Sequence, residues 1–289
     1  MIDGVRRVDG TEPAGAAVAD PVAADRLRQH RPHSGRMYDY YLGGRTNYAV
    51  DREAAETVMR RFPAIRVTAR VNRAFTHRAA RFLARDRGLR QFLDIGTGIP
   101  TAPNLHEVVQ AEVPEARVAY ADNDPIVLVY ADSLLGSTPE GRTGYVEADL
   151  TEPAGLLAAV AAGGCLDLSE PVALSLNAVL PFVPDDKEPY AVVATLMDRL
   201  APGSYLTLSH ATGDFAPEVW AEVVGVYAQG GTPAQVRSHA EVERFFSGLV
   251  LEDPGVVLAH RWRPDPADGP AVQLGDNVVS LYVGMARKE

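Results

Sequence analysis

The sequence predicts an α/β fold: a doubly wound, mostly parallel sheet with helices on both faces, preceded by further helices. Three observations carry that expectation. Short apolar runs alternate with helical segments from residue 91 to 211, the pattern of βαβ units with right-handed crossovers. The first strand, QFLDI, runs into a glycine-bearing turn, GTGIP, before the next helix. Carboxylates then close three successive strands, at Asp94, Asp122 and Asp149.

Residues 1 to 34 are rich in Ala, Gly, Pro and Asp without a periodic apolar pattern, which predicts a mobile tail. Residues 35 to 90 read as two or more helices, interrupted at Gly43–Gly44 and at Pro63. The second half of this stretch, from about 66 to 85, sets Arg66, Arg70, Arg73, His77, Arg81 and Arg85 at three- or four-residue spacing beside an apolar face of Val67, Val71, Phe75 and Phe82. Residues 52 to 90 hold eleven arginines against Glu53, Glu56 and Asp86, although the whole chain carries a formal charge of -10. A basic stripe could attract an acidic substrate or nucleic acid. A solvated helix face paired with acidic surface explains it more simply.

The next element, residues 91 to 109, is the most informative. Phe92, Leu93 and Ile95 form a buried strand, Gly96 and Gly98 allow a sharp turn and close backbone approach, and the helix is expected from near Thr101. Two kinds of cofactor use such a loop. A dinucleotide places its pyrophosphate against the helix N-terminus, where the carboxylate of Asp94 would oppose it. S-adenosylmethionine brings a sulfonium and an ammonium, and unlike charges 4 Å apart attract by roughly 4 kcal/mol at an effective dielectric constant near 20. Asp94 therefore favours the cationic cofactor. The third glycine of the dinucleotide fingerprint is also absent, with Thr101 at its position.

A second strand ends at Asp122, 24 residues after Gly98, where a carboxylate can accept from both ribose hydroxyls of an adenosine cofactor. Asp124, ahead of Pro125, reads as the cap of a helix expected through about 135. A third strand, GYVEADL, brings Asp149 to where it could accept from an adenine amino group, with Thr151 as the next helix cap. PVALSLN is the fourth strand, ending at Asn177. A helix over 186–200 follows, with Asp186 as a possible cap and Pro189 in its first turn; LTLSH is the fifth strand, with His210 near its end. Ser238 and Glu241 fit a capping box, and VVLAHRW and VVSLYVGMA read as the last two strands.

With these motifs in order, DIGTGIP first, YADND second and EADL third, the chain resembles the class I S-adenosylmethionine-dependent methyltransferases. More narrowly, RMYDYYLGGRTNYAVDREAAE, the DNDP step, FFSGLVLEDPG and RWRPD are similar to a bacterial S-adenosyl methyltransferase family whose substrates are largely unassigned. The resemblance spans residues 35 to 288, and Pro100 stands where a third loop glycine is common in the wider superfamily. It implies a Rossmann-like, seven-stranded sheet over residues 91–289, an N-terminal helical lid over 35–90, and S-adenosylmethionine converted to S-adenosylhomocysteine. The cofactor-binding set it implies is Asp94, Gly96, Thr97, Gly98, Asp122, Asn123, Asp149, Leu150 and Asn177.

Tyr38, Tyr40, Tyr41 and Tyr48 flank Gly43, Gly44 and Asn47, a composition suited to a lid in which an aromatic face covers the sulfonium for about 0.5–2 kcal/mol. Packing of the N-terminal helices is the competing explanation for each tyrosine taken singly. Methyl transfer from a sulfonium needs alignment and exclusion of water, and a base only if the acceptor must lose a proton. His210 and Asn177 are the catalytic candidates; a structural role competes for His210, and His77 and His106 read as structural.

Composition narrows the remaining classes. The single cysteine, Cys165, permits no intrachain disulfide, no cysteine-based metal site is suggested, and HExxH, CxxC and GxxxxGK patterns are absent. No signal-like or membrane-spanning apolar run occurs, which predicts a cytoplasmic enzyme without a membrane partner. The expectation is methyl transfer to a small-molecule acceptor, by a chain for which a homodimer is compatible. Two alternatives stand beside it: a non-catalytic protein that binds or senses S-adenosylmethionine, and a nucleic-acid methyltransferase using the arginine stripe, which composition disfavours.

Overall fold

The computed structural model describes residues 29–127, 130, 136–265 and 274–289. Three helices open it: α1 (Ser34–Leu42), α2 (Ala49–Arg61) and α3 (Ile65–Arg85). The sheet strands are β1 (Gln91–Ile95), β2 (Arg117–Asp122), β3 (Arg142–Glu147), β4 (Ala173–Asn177), β5 (Tyr205–Ala211), β6 (Val250–Leu251), β7 (Val257–Leu258) and β8 (Leu281–Arg287). Between them run α4 (Leu105–Glu112), α5 (Pro153–Ala162), α6 (Pro189–Arg199), α7 (Pro217–Gln229), α8 (His239–Glu243) and α9 (Asp276–Val279).

The main path is β3-β2-β1-β4-β5-β8-β6, with β7 pairing β8 to one side. Strands β1 to β5 are mutually parallel where they pair, and β8 lies antiparallel to β5, β6 and β7. The order reverses between β1 and β4, the switch point at which such sheets bind ligands. Seven strands were expected and eight form, because the C-terminal region supplies two two-residue strands, β6 and β7, in place of one longer strand. The expected run VVSLYVGMA also starts later: Val278 and Val279 belong to α9, and Ser280 turns through a left-handed conformation (φ 41°) before β8.

Period-two alternation divides the strands between two cores. Phe92, Val118, Tyr120, Val283 and Met285 meet α3 and α4 through Phe75, Leu83 and Val109. Leu93, Ile95, Leu174, Leu176 and Leu206 meet α5 and α6 through Leu156, Val160, Val193 and Leu196. α3, expected with the lid, is thus a layer helix of the sheet, since Val71, Phe75, Ala79 and Leu83 repeat every four residues on its buried side. A third cluster roofs the structure: Met37 and Tyr41 of α1, Val58 of α2 and Trp220, Val223 and Tyr227 of α7, packed against Ile65 and Ala69 at the start of α3.

Several helix starts move from their expected positions. Helix α4 begins at Leu105, not near Thr101, because Asn104 and Glu107 form a capping box after a loop holding Pro100 and Pro103. Helix α5 is preceded by Glu152 and not capped by Thr151, whose amide and hydroxyl both donate to Asp149. Helix α6 starts at Pro189 after Glu188, while Asp186 lies in a separate 3-10 turn. The Ser238–Glu241 box forms as expected, its amide-to-carboxylate bond 2.7 Å long. Asp124 caps the helix opening at Pro125, donated to by the Ile126 amide at 3.2 Å; of the helix expected to 135, residues 128–129 and 131–135 lie outside the described residues. The expected tail also falls outside them up to residue 28, and residues 29–34 are fastened: Gln29 donates to the Tyr48 hydroxyl and the His33 amide to Asp51.

Most of the arginine-rich stretch is engaged within the molecule, while Arg70 of the stripe is exposed and Arg85 pairs with its exposed neighbour Asp86. Arg78 is buried and donates to the carbonyls of Ala259 and Trp262, Arg66 donates to the Tyr41 carbonyl, and Arg73 to those of Thr101 and Pro103. Arg81, Arg87 and Arg90 pair with Asp265, Glu252 and Glu115. No helix among the described residues is long and apolar enough to cross a membrane.

Candidate active site

A cavity of about 510 Å3 opens where the ends of β1, β2 and β4 meet the helical roof. Asp94, Gly96, Thr97, Gly98, Asp122, Asn123, Asp149, Leu150 and Asn177 all line it, so the cofactor-binding set inferred from the sequence converges on one space. Sheet register explains part of this: Asp94 lies beside Tyr120 on one side and Ser175 on the other, and parallel pairing brings successive strand ends to the same edge.

Burial pushes the Asp94 carboxyl up to about 6, a rise held in check by hydrogen bonds from Ser175 and Thr97 and by the nearby Arg73 guanidinium. The Asn177 amide donates to the Ser175 hydroxyl at 2.8 Å, giving a relay from Asn177 through Ser175 to Asp94. The Asn177 Oδ1 is left buried without a partner. Asp122 accepts from the Gly98 amide at 2.7 Å and the Asp124 amide at 2.9 Å, so it braces the glycine loop and still has lone pairs to spare. Burial raises the Asp122 pKa against the pull of those two amides.

The glycines are required by space and by φ. Gly96 (φ 72°) faces Val179, whose Cγ2 a Cβ would approach to 2.4 Å. Gly98 (φ 63°) faces Gly35 at the start of α1, where a Cβ on Gly35 would come 3.4 Å from the Gly98 Cα. The roof is therefore seated backbone to backbone on the loop. His33 and Arg36 hold it there, at 3.3 and 3.5 Å from Asp124, while Arg36 also lies 3.6 Å from Asp51.

The proposed lid residues divide. Tyr38 and Tyr41 line the cavity, the Tyr38 hydroxyl donating to the Ala69 carbonyl and accepting from Asn72. The others stand behind the wall. Tyr40 donates to Glu56, Gly43 ends α1 in a left-handed turn, and Gly44 lies so close to Asp39 that a Cβ would come 1.9 Å from its Oδ1. Asn47 donates to Asp39 and the Gly44 carbonyl. The Tyr48 ring lies 5.2 Å from the Arg36 guanidinium, which occupies the aromatic face expected for a sulfonium.

His210 is displaced from the catalytic role. It is fully buried, does not line the cavity, and accepts from Arg237 at 2.8 Å through Nε2 while Nδ1 donates to the Ala211 carbonyl. Burial lowers its pKa to about 3, which keeps it neutral. His77 is likewise pushed down to about 4 by burial and by Arg73 and Arg81, and His106 bonds to the Tyr120 hydroxyl.

Sequence reasoning missed Asn72, Arg73, Phe182, Trp220 and Tyr227 as lining residues. Arg73 was visible as part of the stripe, and its place four residues from Ala69 and His77 put it on the cavity side of α3. Nothing local marks α7 as a wall.

The donor set suits one cofactor chemistry. A carboxylate that burial makes reluctant to ionise is stabilised by a cation, Arg73 supplies the opposite charge, and Asp122 and Asp149 offer acceptors for hydroxyl and amino groups. Among the described residues, no group of His, Cys, Asp and Glu could hold a metal ion. Fold and site together define a Rossmann-like S-adenosylmethionine-dependent methyltransferase. The profile of the S-adenosyl methyltransferase family matches residues 20–289, and the chain belongs to that family.

Solved structures agree. A DUF574-family protein from Streptomyces avermitilis is 46% identical over 91% of this chain and all of its own, with a TM-score of 0.88. A candidate methyltransferase from Thermobifida fusca is 33% identical over 94% of this chain and all of its own, with a TM-score of 0.84. The plantazolicin methyltransferase BamL, solved with S-adenosylhomocysteine, shares the fold at 12% identity and a TM-score of 0.51, over 92% of this chain and 98% of its own. A comparison with curated protein sequences gives no match. The cofactor is S-adenosylmethionine, and the protein is an enzyme of methyl transfer.

Proposed function

We propose that this methyltransferase acts on a small molecule held between the strand ends and the helical roof. The observation that carries the reading is one continuous cavity: the acidic strand tips share it with a largely apolar wall from α1, α3 and α7. Its volume, about 510 Å3, falls within the range of roughly 300–1,000 Å3 usual for small-molecule sites.

When bound, the cofactor supplies an electrophilic methyl group on a positively charged sulfur. Asp94 holds the ammonium and Arg73 balances the carboxylate of its methionine portion. Asp122, beside Asn123, takes the ribose hydroxyls, and Asp149 with Leu150 borders the adenine. Gly96, Thr97 and Gly98 allow the backbone close approach, and Asn177 orients the reacting groups through its bond to Ser175. Tyr38 closes the side facing α1. His210, walled away from the cavity, takes no proton from the acceptor. The free, buried Cys165 suits a reducing cytoplasm, where we place the enzyme.

The test is methyl transfer from S-adenosylmethionine labelled in the methyl group, using the full chain, fractionated metabolites and total nucleic acid. A labelled small molecule in the mass spectrum is the expected outcome. Label found only in DNA, RNA or protein refutes the reading.

A further inference from the structure

The half of the cavity away from the strand tips has a chemistry of its own. Ile65 and Ala69 of α3, Phe182 after β4, and Trp220, Val223 and Tyr227 of α7 build it, with Tyr41 of α1. Aromatic rings dominate: Phe182 and Tyr227 lie 5.3 Å apart at 62°, and Trp220 is 4% exposed and braced by Phe62 at 5.1 Å. The charged side chain that the wall beyond the strand tips brings, Lys187, is exposed at the rim. A buried charge on a ligand here would find no partner, which disfavours ionised acceptors.

Two polar features break the apolar surface: the Trp220 indole N–H, buried without a partner among the described residues, and a pair of phenols. The hydroxyls of Tyr41 and Tyr227 lie 3.1 Å apart, and no other hydrogen bond among the described residues involves either. One phenol must donate to the other, and each carries a single proton. The second proton therefore has no acceptor among the described residues. Burial pushes the Tyr227 phenol up to about 12 and raises that of Tyr41 well above its ordinary value, so both remain protonated donors at neutral pH.

Resting on the small-molecule reading above, we infer that this half binds a flat, uncharged aromatic acceptor molecule bearing a carbonyl or similar oxygen, which receives the spare hydrogen bond of the Tyr41–Tyr227 pair. Aromatic walls favour a planar ring system over a flexible chain of equal size, since offset and edge-on ring contacts add to area burial. The pair fixes which end of the ring enters first, and so which atom is turned toward the donor.

Acridone serves as the probe, being flat, uncharged, fluorescent and equipped with one carbonyl. It is titrated into the full chain saturated with S-adenosylhomocysteine, beside a carboxylated acridone and a saturated ketone of similar size. Acridone is expected to bind at least tenfold more tightly than either analogue. The Tyr41→Phe, Tyr227→Phe double variant should weaken it about fivefold or more and shift its emission toward that in a non-hydrogen-bonding solvent, whereas Glu140→Ala, exposed and outside the cavity, should change neither. Equal or tighter binding of the carboxylated form, equal binding of the saturated ketone, or no binding of acridone to a protein that still binds S-adenosylhomocysteine overturns the inference. Calorimetry with S-adenosylhomocysteine alone separates the two levels, since failure there removes the methyltransferase site itself.

Discussion

Replacing Asp94 by Asn should stabilise the ligand-free protein and weaken its hold on the cofactor. Burial raises the carboxyl from its ordinary value near 3.8 to about 6, so its ionised form costs the folded state at most about 3 kcal/mol. Asp94 is not completely closed off from cavity water, which brings the figure to about 1–2 kcal/mol. Because the folded value is raised, the cost is absent below about pH 4 and complete once the pH has risen through about 6. The amide variant should thus melt higher than wild type at pH 8, at roughly 2–4 °C per kcal/mol, and the gain should fade toward pH 4. Binding moves the other way. Loss of a charged hydrogen bond costs about 1.5–3 kcal/mol, or roughly 10- to 150-fold in Kd. Wild-type affinity should also fall about tenfold per unit below pH 6, as the carboxylate that receives the cation is protonated, while the variant's stays level. Thermal melts and calorimetric titration with S-adenosylmethionine over about pH 5–8 measure both. A variant that melts lower at pH 8, or binds as tightly as wild type with the same pH profile, refutes the argument.

Asp122→Ala should weaken cofactor binding by about 1–3 kcal/mol and also increase hydrogen exchange at the Gly98 and Asp124 amides, which lose their acceptor; exchange mass spectrometry separates the effects. Gly96→Ala should abolish cofactor binding or folding, because its Cβ would meet Val179 at 2.4 Å on a backbone at φ 72°; normal titration and melting would contradict this. His210→Asn should lower stability by about 1–3 kcal/mol through loss of the bond to Arg237, yet leave the pH profile of methyl transfer unchanged. A lost acidic or basic limb in that profile would return His210 to the chemistry.

The donor side of the site was legible because it is written locally. Each strand end carries its functional carboxylate within a few residues of the turn, and parallel pairing does the rest. The acceptor side was not, because Phe182, Trp220 and Tyr227 come from elements far apart in the chain and look like ordinary core residues in sequence. His210 misled for the opposite reason: a polar residue near the tip of β5 suggests a mouth, but neither its rotamer nor Arg237, 27 residues later, can be read locally. Tyr48 was misassigned similarly, since a buried arginine claims its ring before any ligand can. The C-terminal strands were blurred by Ser280, whose left-handed turn separates two valines from the strand they resemble.

Arg237 also joins two walls of the acceptor side. It donates to the carbonyls of Leu180 and Val183 and to Asp185, while neighbouring Gln235 donates to the Pro181 carbonyl and to Asp185. The segments around residues 180–187 and 232–237 are in effect one riveted plate. Within such a frame an insertion in either segment would tear out several rivets at once, whereas an exchange at Phe182 or Val236 disturbs none of them. Relatives that prefer different methyl acceptors should therefore differ in the side chains of these segments and keep their lengths constant.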